Sequence, residues 1–171
     1  MSIWRNFLGR RNHAAKTNSP KPAAGSLSPL THEEKVAVSN ALPELYERVI
    51  ADKRRGIASA PTVYMTTSKF DVPALLWKLD IPDLECLAEA LRAGMRAEAA
   101  AATQDYDQAI RLFQQALERN PFSDMAAMGC GVCLFKQGKT REAIKWIERA
   151  IRLNPNNPQA QRNLRGIKLH L

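Results

Sequence analysis

Apolar side chains recur at helical spacing along most of the chain, and this pattern predicts helices rather than strands. Residues 33–56 have one apolar face over about four turns, and Thr31 and Glu34 have the capping-box spacing expected at the start of that helix. Pro43 is expected to kink or split it. A short helical turn at residues 71–80 and a long Ala-rich helix at 81–104 are predicted next, whereas residues 57–70 are predicted to form an extended connector.

A near-copy in the sequence dominates the C-terminal half. The stretch "DYDQAIRLFQQALERNP" at residues 105–121 is followed, 34 residues later, by "KTREAIKWIERAIRLNP" at residues 139–155. Each stretch has a small residue, a large apolar residue, a second small residue and a proline at matching positions: Ala109, Phe113, Ala116 and Pro121, then Ala143, Ile147, Ala150 and Pro155. Small residues allow helices to approach closely, and proline ends the helix, so both stretches are predicted to be packed helices.

This pattern resembles the tetratricopeptide repeat family, whose unit is a pair of antiparallel helices with the same 34-residue period. The resemblance covers roughly residues 90–171 and implies an all-α, TPR-like antiparallel helix-pair array. It implies two repeats and a C-terminal capping helix, preceded by an N-terminal helical extension. The family's tryptophan position holds Ala93 and Ala127, so both copies depart from the family pattern there.

The predicted organisation is a basic flexible tail and linker at residues 1–31, followed by a single helical domain at residues 32–171. Within that domain we expect non-repeat N-terminal helices at 32–89, repeats at 90–123 and 124–157, and a capping helix at 158–171. Repeats bury their faces only against neighbours. The predicted helices at 33–56 and 72–80 are therefore expected to pack on the N-terminal end of the array.

The net charge of +8 is unevenly distributed. Residues 1–32 carry five basic residues and no acid, which leaves +3 for the rest of the chain and weakens any argument for a nucleic-acid partner. Three cysteines, an odd number without a secretory signal, favour a reducing, cytoplasmic compartment. The longest uncharged run, residues 56–68, is too polar to span a bilayer.

Cys130 and Cys133 have the spacing of thiol–disulfide motifs, and a thiol oxidoreductase is the enzyme hypothesis that they raise. The pair is predicted to lie in the middle of a helix, however, where a packing role is favoured. A zinc site would need a second pair of ligands, which Cys86 and the scattered histidines do not provide. No other catalytic signature is present, so the sequence predicts a non-enzyme with no cofactor and no metal.

The family resemblance implies that a protein segment binds in a groove lined by the first helix of each repeat. Register places these residues in the groove: Leu91, Met95, Glu98, Met125, Met128, Val132, Phe135, Lys136, Arg162 and Asn163. The positions at which some family members grip a peptide carboxylate hold other residues here, so such a clamp is not predicted. The apolar, methionine-rich character favours an apolar or amphipathic ligand. The alternative is that Met125, Met128 and Phe135 pack against the preceding repeat.

The predicted function is therefore a protein–protein interaction adaptor, scaffold or chaperone, and small repeat proteins of bacterial secretion systems are similar in length. The runner-up is a membrane-associated or organelle-targeted assembly factor that uses the N-terminus. There, apolar and basic residues share helical spacing: Trp4, Arg5, Phe7, Leu8, Arg10 and Arg11. That segment is compatible with an anchor on a membrane or partner, a mitochondrial import segment, or an unstructured arm.

Overall fold

The computed structural model describes Leu27, residues 30–57 and residues 70–170, and these ranges contain eight α-helices and no β-strand. In chain order the helices are α1 (His32–Ser39), α2 (Pro43–Arg54), α3 (Val72–Trp77), α4 (Ile81–Ala102), α5 (Tyr106–Arg119), α6 (Asp124–Lys136), α7 (Thr140–Leu153) and α8 (Pro158–Lys168). The predicted all-α fold is confirmed. The predicted connector lies outside the described residues except at its ends, Ile57 and Phe70.

Local sequence signals account for the first two helices. The Thr31 hydroxyl accepts a hydrogen bond from the backbone N–H of Glu34, and the Glu34 carboxylate accepts one from the backbone N–H of Thr31, which confirms the capping box. Pro43 splits the predicted helix, since α1 ends at Ser39 and α2 begins at Pro43. Proline is tolerated in a first turn because the N–H that it lacks would have no partner within the helix there.

The N-terminal helices form one hydrophobic cluster with the first half of α4. Its most deeply buried members include Val38, Tyr46, Leu76 and Leu84. Leu27 and Leu30, which precede the predicted boundary at residue 31, are also buried in it. We call this cluster, with α1, α2 and α3, the N-terminal cap. Helix α2 packs on α4, and α3 packs on α1 and α2.

A second hydrophobic cluster runs through the repeats. Helices α4 and α5 pack as one pair and α6 and α7 as the next, with α8 packed on α7. The small and large positions found in the sequence copies are all buried: Ala109, Phe113 and Ala116 of α5, and Ala143, Ile147 and Ala150 of α7. The register read from the sequence is therefore the register of the packing.

Phe122 connects the turn of the first repeat to the N-terminal cap. It lies in the turn between α5 and α6 and packs against the N-terminal cap. The ring of His32 meets it edge-on at 5.9 Å between centroids, and the Lys35 ammonium lies 5.1 Å from the centroid of its ring. The next turn has Asn156 at the same register, so the first repeat carries a hydrophobic anchor that the second one lacks.

Candidate protein-binding groove

The first helices of the repeats and the final helix lie side by side. Helix α6 contacts both α4 and α8, whereas α5 and α7 pack behind them. Residues of α4, α6 and α8 that do not face α5 or α7 are thus brought to one side of the array. The sequence register predicts the groove on this side, with α6 as its central wall.

Helix α6 presents a stripe of four residues to the groove: Met125, Gly129, Val132 and Lys136. Their spacing of four, three and four residues places them on one helical face. Met125 is 42% exposed, although large apolar side chains are usually buried, while Lys136 is exposed and Val132 is half-buried against the repeat cluster. The stripe therefore combines accessible apolar surface with one cation.

Gly129 is required by the packing behind the stripe. A Cβ atom at this position would lie 2.4 Å from the ring of Phe113 on α5, a distance that real Cβ contacts do not reach. Glycine thus lets α5 and α6 approach closely.

Met128 differs from the other predicted groove residues on α6. Only 5% of its surface is exposed, and it belongs to the buried repeat cluster. Phe135 is half-buried, with its ring 5.4 Å from that of His170 just beyond α8. These two residues therefore contribute to the packing of α6, and Met125 is the methionine of α6 that a ligand can reach.

The flanking helices supply mostly polar groove positions. On α4, Leu91 packs against the N-terminal cap, Met95 is half-buried and Glu98 is exposed. On α8, Arg162 is exposed and Asn163 is half-buried. At the predicted groove positions, the apolar residues of α6 are therefore bordered by the acidic Glu98 on α4 and the basic Arg162 on α8.

A buried polar network fixes α8 relative to α6. Asp124 is 1% exposed, and its Oδ2 accepts hydrogen bonds from the side-chain amides of Asn154, at 2.8 Å, and Asn157, at 2.9 Å. The Asn157 side-chain oxygen in turn accepts hydrogen bonds from the backbone N–H groups of Gln159 and Ala160 and caps α8. Sequence reasoning missed this network; its one signal was that asparagine precedes the proline in both copies, at 120 and 154.

Cys130 and Cys133 lie within α6, and both thiols are free and buried. Burial raises the pKa of the Cys130 thiol to about 12, and burial also raises the pKa of Cys133. A nucleophilic or redox cysteine needs a lowered pKa and access to solvent. The environment therefore supports a packing role for this pair.

A concavity lies between α2 and α4, with a volume of about 420 Å³. Its charged walls are already paired: Arg92 contacts Glu47 at 3.0 Å, Arg54 contacts Glu85, and Glu89 contacts Arg119 at 2.8 Å. A ligand would have to compete with these ion pairs. The groove on α6 has no such competition, because Lys136 forms no ion pair with any residue that the structure describes.

Paired helices at a fixed period, with a groove along the first helix of each pair, define an α-helical repeat protein. Residues 95–158 match the model of the tetratricopeptide repeat family, and this match supports the family resemblance found in the sequence. Such repeats generally mediate protein–protein interactions and are typically non-catalytic. No curated protein matches the chain.

Two predictions concern membranes and metals. The anchor residues of the N-terminus, Trp4 to Arg11, lie outside the described residues. Across residues 30–57 and 70–170, no helix has both the length and the hydropathy needed to cross a bilayer. Over the same part of the chain, no three His, Cys, Asp or Glu side chains cluster as metal ligands would.

Proposed function

We propose that the chain is a non-catalytic adaptor whose groove binds an apolar or amphipathic segment of a partner protein. The observation that carries this proposal is the accessible stripe on α6, where Met125 is exposed beside Gly129 and Val132. A methionine side chain is flexible and polarisable, so it adapts to apolar side chains of different shapes. An amphipathic helix that lays its apolar face in a groove is a common ligand for such a surface.

The charges that border the stripe give the ligand an orientation. Lys136 lies at the C-terminal end of the stripe and Arg162 lies on α8, whereas Glu98 lies on α4. Complementary charges across an interface fix the register of the partner more than they add affinity. We therefore expect the bound segment to place acidic residues near α8 and basic or neutral residues near α4.

The same proposal includes more specific roles for the protein. Holding an apolar segment is compatible with a chaperone of the kind found in bacterial secretion systems and with a scaffold in a larger assembly. A cytoplasmic location, and a peripheral membrane or mitochondrial role for residues 1–16, are hypotheses drawn from the sequence. The division into a tail at residues 1–31 and a domain at 32–171 likewise stays a prediction.

Site-specific crosslinking in cells tests the groove. A photo-reactive amino acid is placed at Met125, and the matched control carries it at Gln115, which is exposed on the outer face of α5. We expect a partner protein to be captured from position 125 and not from position 115. For the identified partner, Met125→Asp is expected to raise the Kd at least about tenfold, because it buries a charge in an apolar contact, whereas Gln115→Asp leaves it unchanged. Equal capture at both positions, or equal affinity of both variants, would contradict the proposal.

A further inference from the structure

Outside the N-terminal tail, the excess of positive charge is concentrated at the C-terminal end of the array. Residues 136–171 contain nine Lys or Arg and two Glu, for a net charge of +7, whereas residues 33–135 contain eleven basic and fifteen acidic residues, for −4. The net charge of +3 calculated from the sequence for the whole domain therefore conceals two regions of opposite sign. The basic region consists mainly of α7 and α8.

Several of these cations are exposed on α7 and α8, which pack against each other at the C-terminal end of the array. We define the outer basic surface by five exposed side chains on two helices: Arg141, Lys145 and Arg152 of α7, and Arg165 and Lys168 of α8. The three residues of α7 share one helical face, opposite its buried residues Ala143, Ile147 and Ala150. Lys168 lies 3.8 Å from the carboxylate of Glu148, which belongs to the same face of α7, so the two helices contribute to one surface.

Most of this positive charge is uncompensated. Lys168 is the one member of the outer basic surface that forms an ion pair within the described residues, and that pair neutralises Glu148. Exposed cations at such spacing repel one another. Arg152, Arg165 and Lys168 lie in the last turns of their helices, where the helix dipole favours positive charge, but Arg141 and Lys145 do not have that benefit.

The first repeat provides an internal comparison. At the same register, the outer face of α5 carries Asp107 where α7 has Arg141, and Glu118 where α7 has Arg152, whereas the position of Lys145 is basic in both repeats. Both helices need a polar outer face, and α5 shows that acidic residues meet that need equally well. The positive charges at positions 141 and 152 are therefore not explained by the need for a polar outer face.

We propose that the outer basic surface is a second interaction site, which binds an acidic, glutamate- or aspartate-rich segment of a partner protein. Positions 141 and 152 are about 16 Å apart along α7, which matches about three turns of a partner helix. The chain's own tail cannot cover the surface, since residues 1–32 carry five basic residues and no acid. Nucleic-acid bases would need free aromatic rings to stack on, whereas Trp146 of α7 is half-buried with the Arg149 guanidinium 5.1 Å from its ring centroid.

Exchanging outer-face residues between the repeats tests the proposal in the full chain. The variant Arg141→Asp with Arg152→Glu places the residues of the first repeat on α7. The matched control, Arg96→Glu with Arg111→Glu, changes the net charge by the same amount at exposed positions on α4 and α5. Both variants are expected to retain the helical circular dichroism and the thermal midpoint of the wild type.

The probe is a fluorescein-labelled, glutamate-rich helical peptide of about eleven residues, the length that spans the surface. We expect saturable binding that weakens as the NaCl concentration rises from about 50 to about 300 mM, because salt screens exposed charges. The α7 variant is expected to raise the Kd at least about tenfold, and the control less than about twofold.

Four outcomes would overturn the proposal. Equal weakening in both variants would assign the binding to net charge, and no weakening in either would assign it to the tail. Preferential binding of double-stranded DNA or of phosphatidylserine vesicles through Arg141 and Arg152 would make the surface a nucleic-acid or membrane site. Self-association that the α7 variant abolishes would assign the surface to a second copy of this chain.

Discussion

The side-chain hydroxyl of Ser39 on α1 donates a hydrogen bond to Oδ1 of Asn120, 3.1 Å away in the turn that follows α5. The same oxygen accepts a hydrogen bond from the backbone N–H of Phe122. One repeat later, Asn154 occupies the same register and donates to Asp124. This asparagine position therefore joins the first repeat to the N-terminal cap and joins the end of the second repeat to α6.

Replacing Asn120 with alanine is expected to lower the free energy of unfolding by about 1–3 kcal/mol, because two partners of a buried side chain lose their acceptor. Urea titration followed by circular dichroism measures the change. The matched control is Asn156→Ala, which removes an exposed asparagine from the next turn and should change stability by less than about 0.5 kcal/mol. Equal effects of the two substitutions would show that the buried contacts contribute nothing specific.

Two glycines in the first helices of the repeats should respond to alanine in opposite directions. At Gly129 the added Cβ would meet the Phe113 ring, so we expect destabilisation by about 1–3 kcal/mol. At Gly94, inside α4, a Cβ has nothing within 4 Å, so Gly94→Ala should stabilise the protein by about 0.5–1 kcal/mol through helix propensity. Thermal unfolding of both variants checks the signs; a stabilising Gly129→Ala would contradict the close approach of α5 and α6.

Two methionines of α6, three residues apart, separate packing from binding. Met128→Ala should cost about 2–4 kcal/mol of unfolding free energy, since it leaves a cavity in the repeat cluster. Met125→Ala should change stability by less than about 0.5 kcal/mol, because this side chain is 42% exposed. Chemical denaturation of both variants makes the comparison, and a similar cost at both positions would remove Met125 from the accessible surface of the groove.

The repeat region was predictable because its packing is local and periodic. The spacing of small and large residues in the two copies is enough to place Ala109, Phe113 and Ala116 and their counterparts in the core. The rotation of α6 was not predictable in the same way. It depends on Gly129 meeting Phe113 and on Gly131 meeting Ile147, and these contacts turn Met128 inwards while leaving Met125 exposed.

The contacts of the cap escaped prediction for a different reason. Ser39 and Asn120 are 81 residues apart, and no sequence period relates them. From the sequence, Phe122 is only a residue of a loop. The structure adds that His32 and Lys35 of α1 lie beside its ring. The outer basic surface was also not predicted. The net charge of the whole domain is small because the positive charge of α7 and α8 is offset by the acidic residues of the earlier helices.

The thiol of Cys130 makes stability depend on alkaline pH. Its ordinary pKa is 9.0, and burial raises the pKa in the folded state to about 12. The folded state therefore favours the neutral thiol, and this contribution is complete below pH 9 and is lost as the pH rises towards 12. Between those limits the contribution falls by about 1.4 kcal/mol per pH unit.

We expect the free energy of unfolding to fall further between about pH 8 and about pH 10.5 in the wild type than in Cys130→Ala, with a difference of up to about 2 kcal/mol. The other ionisable groups are the same in both proteins, so their contributions cancel in the comparison. Urea titrations at the two pH values provide the measurement.

In parallel, iodoacetamide at pH 8 should label Cys86, which is half-buried, before Cys130 and Cys133. Rapid labelling of Cys130 in the folded chain, or an identical pH dependence of the two proteins, would contradict the raised pKa. Either result would support the hypothesis that Cys130 and Cys133 are a redox pair.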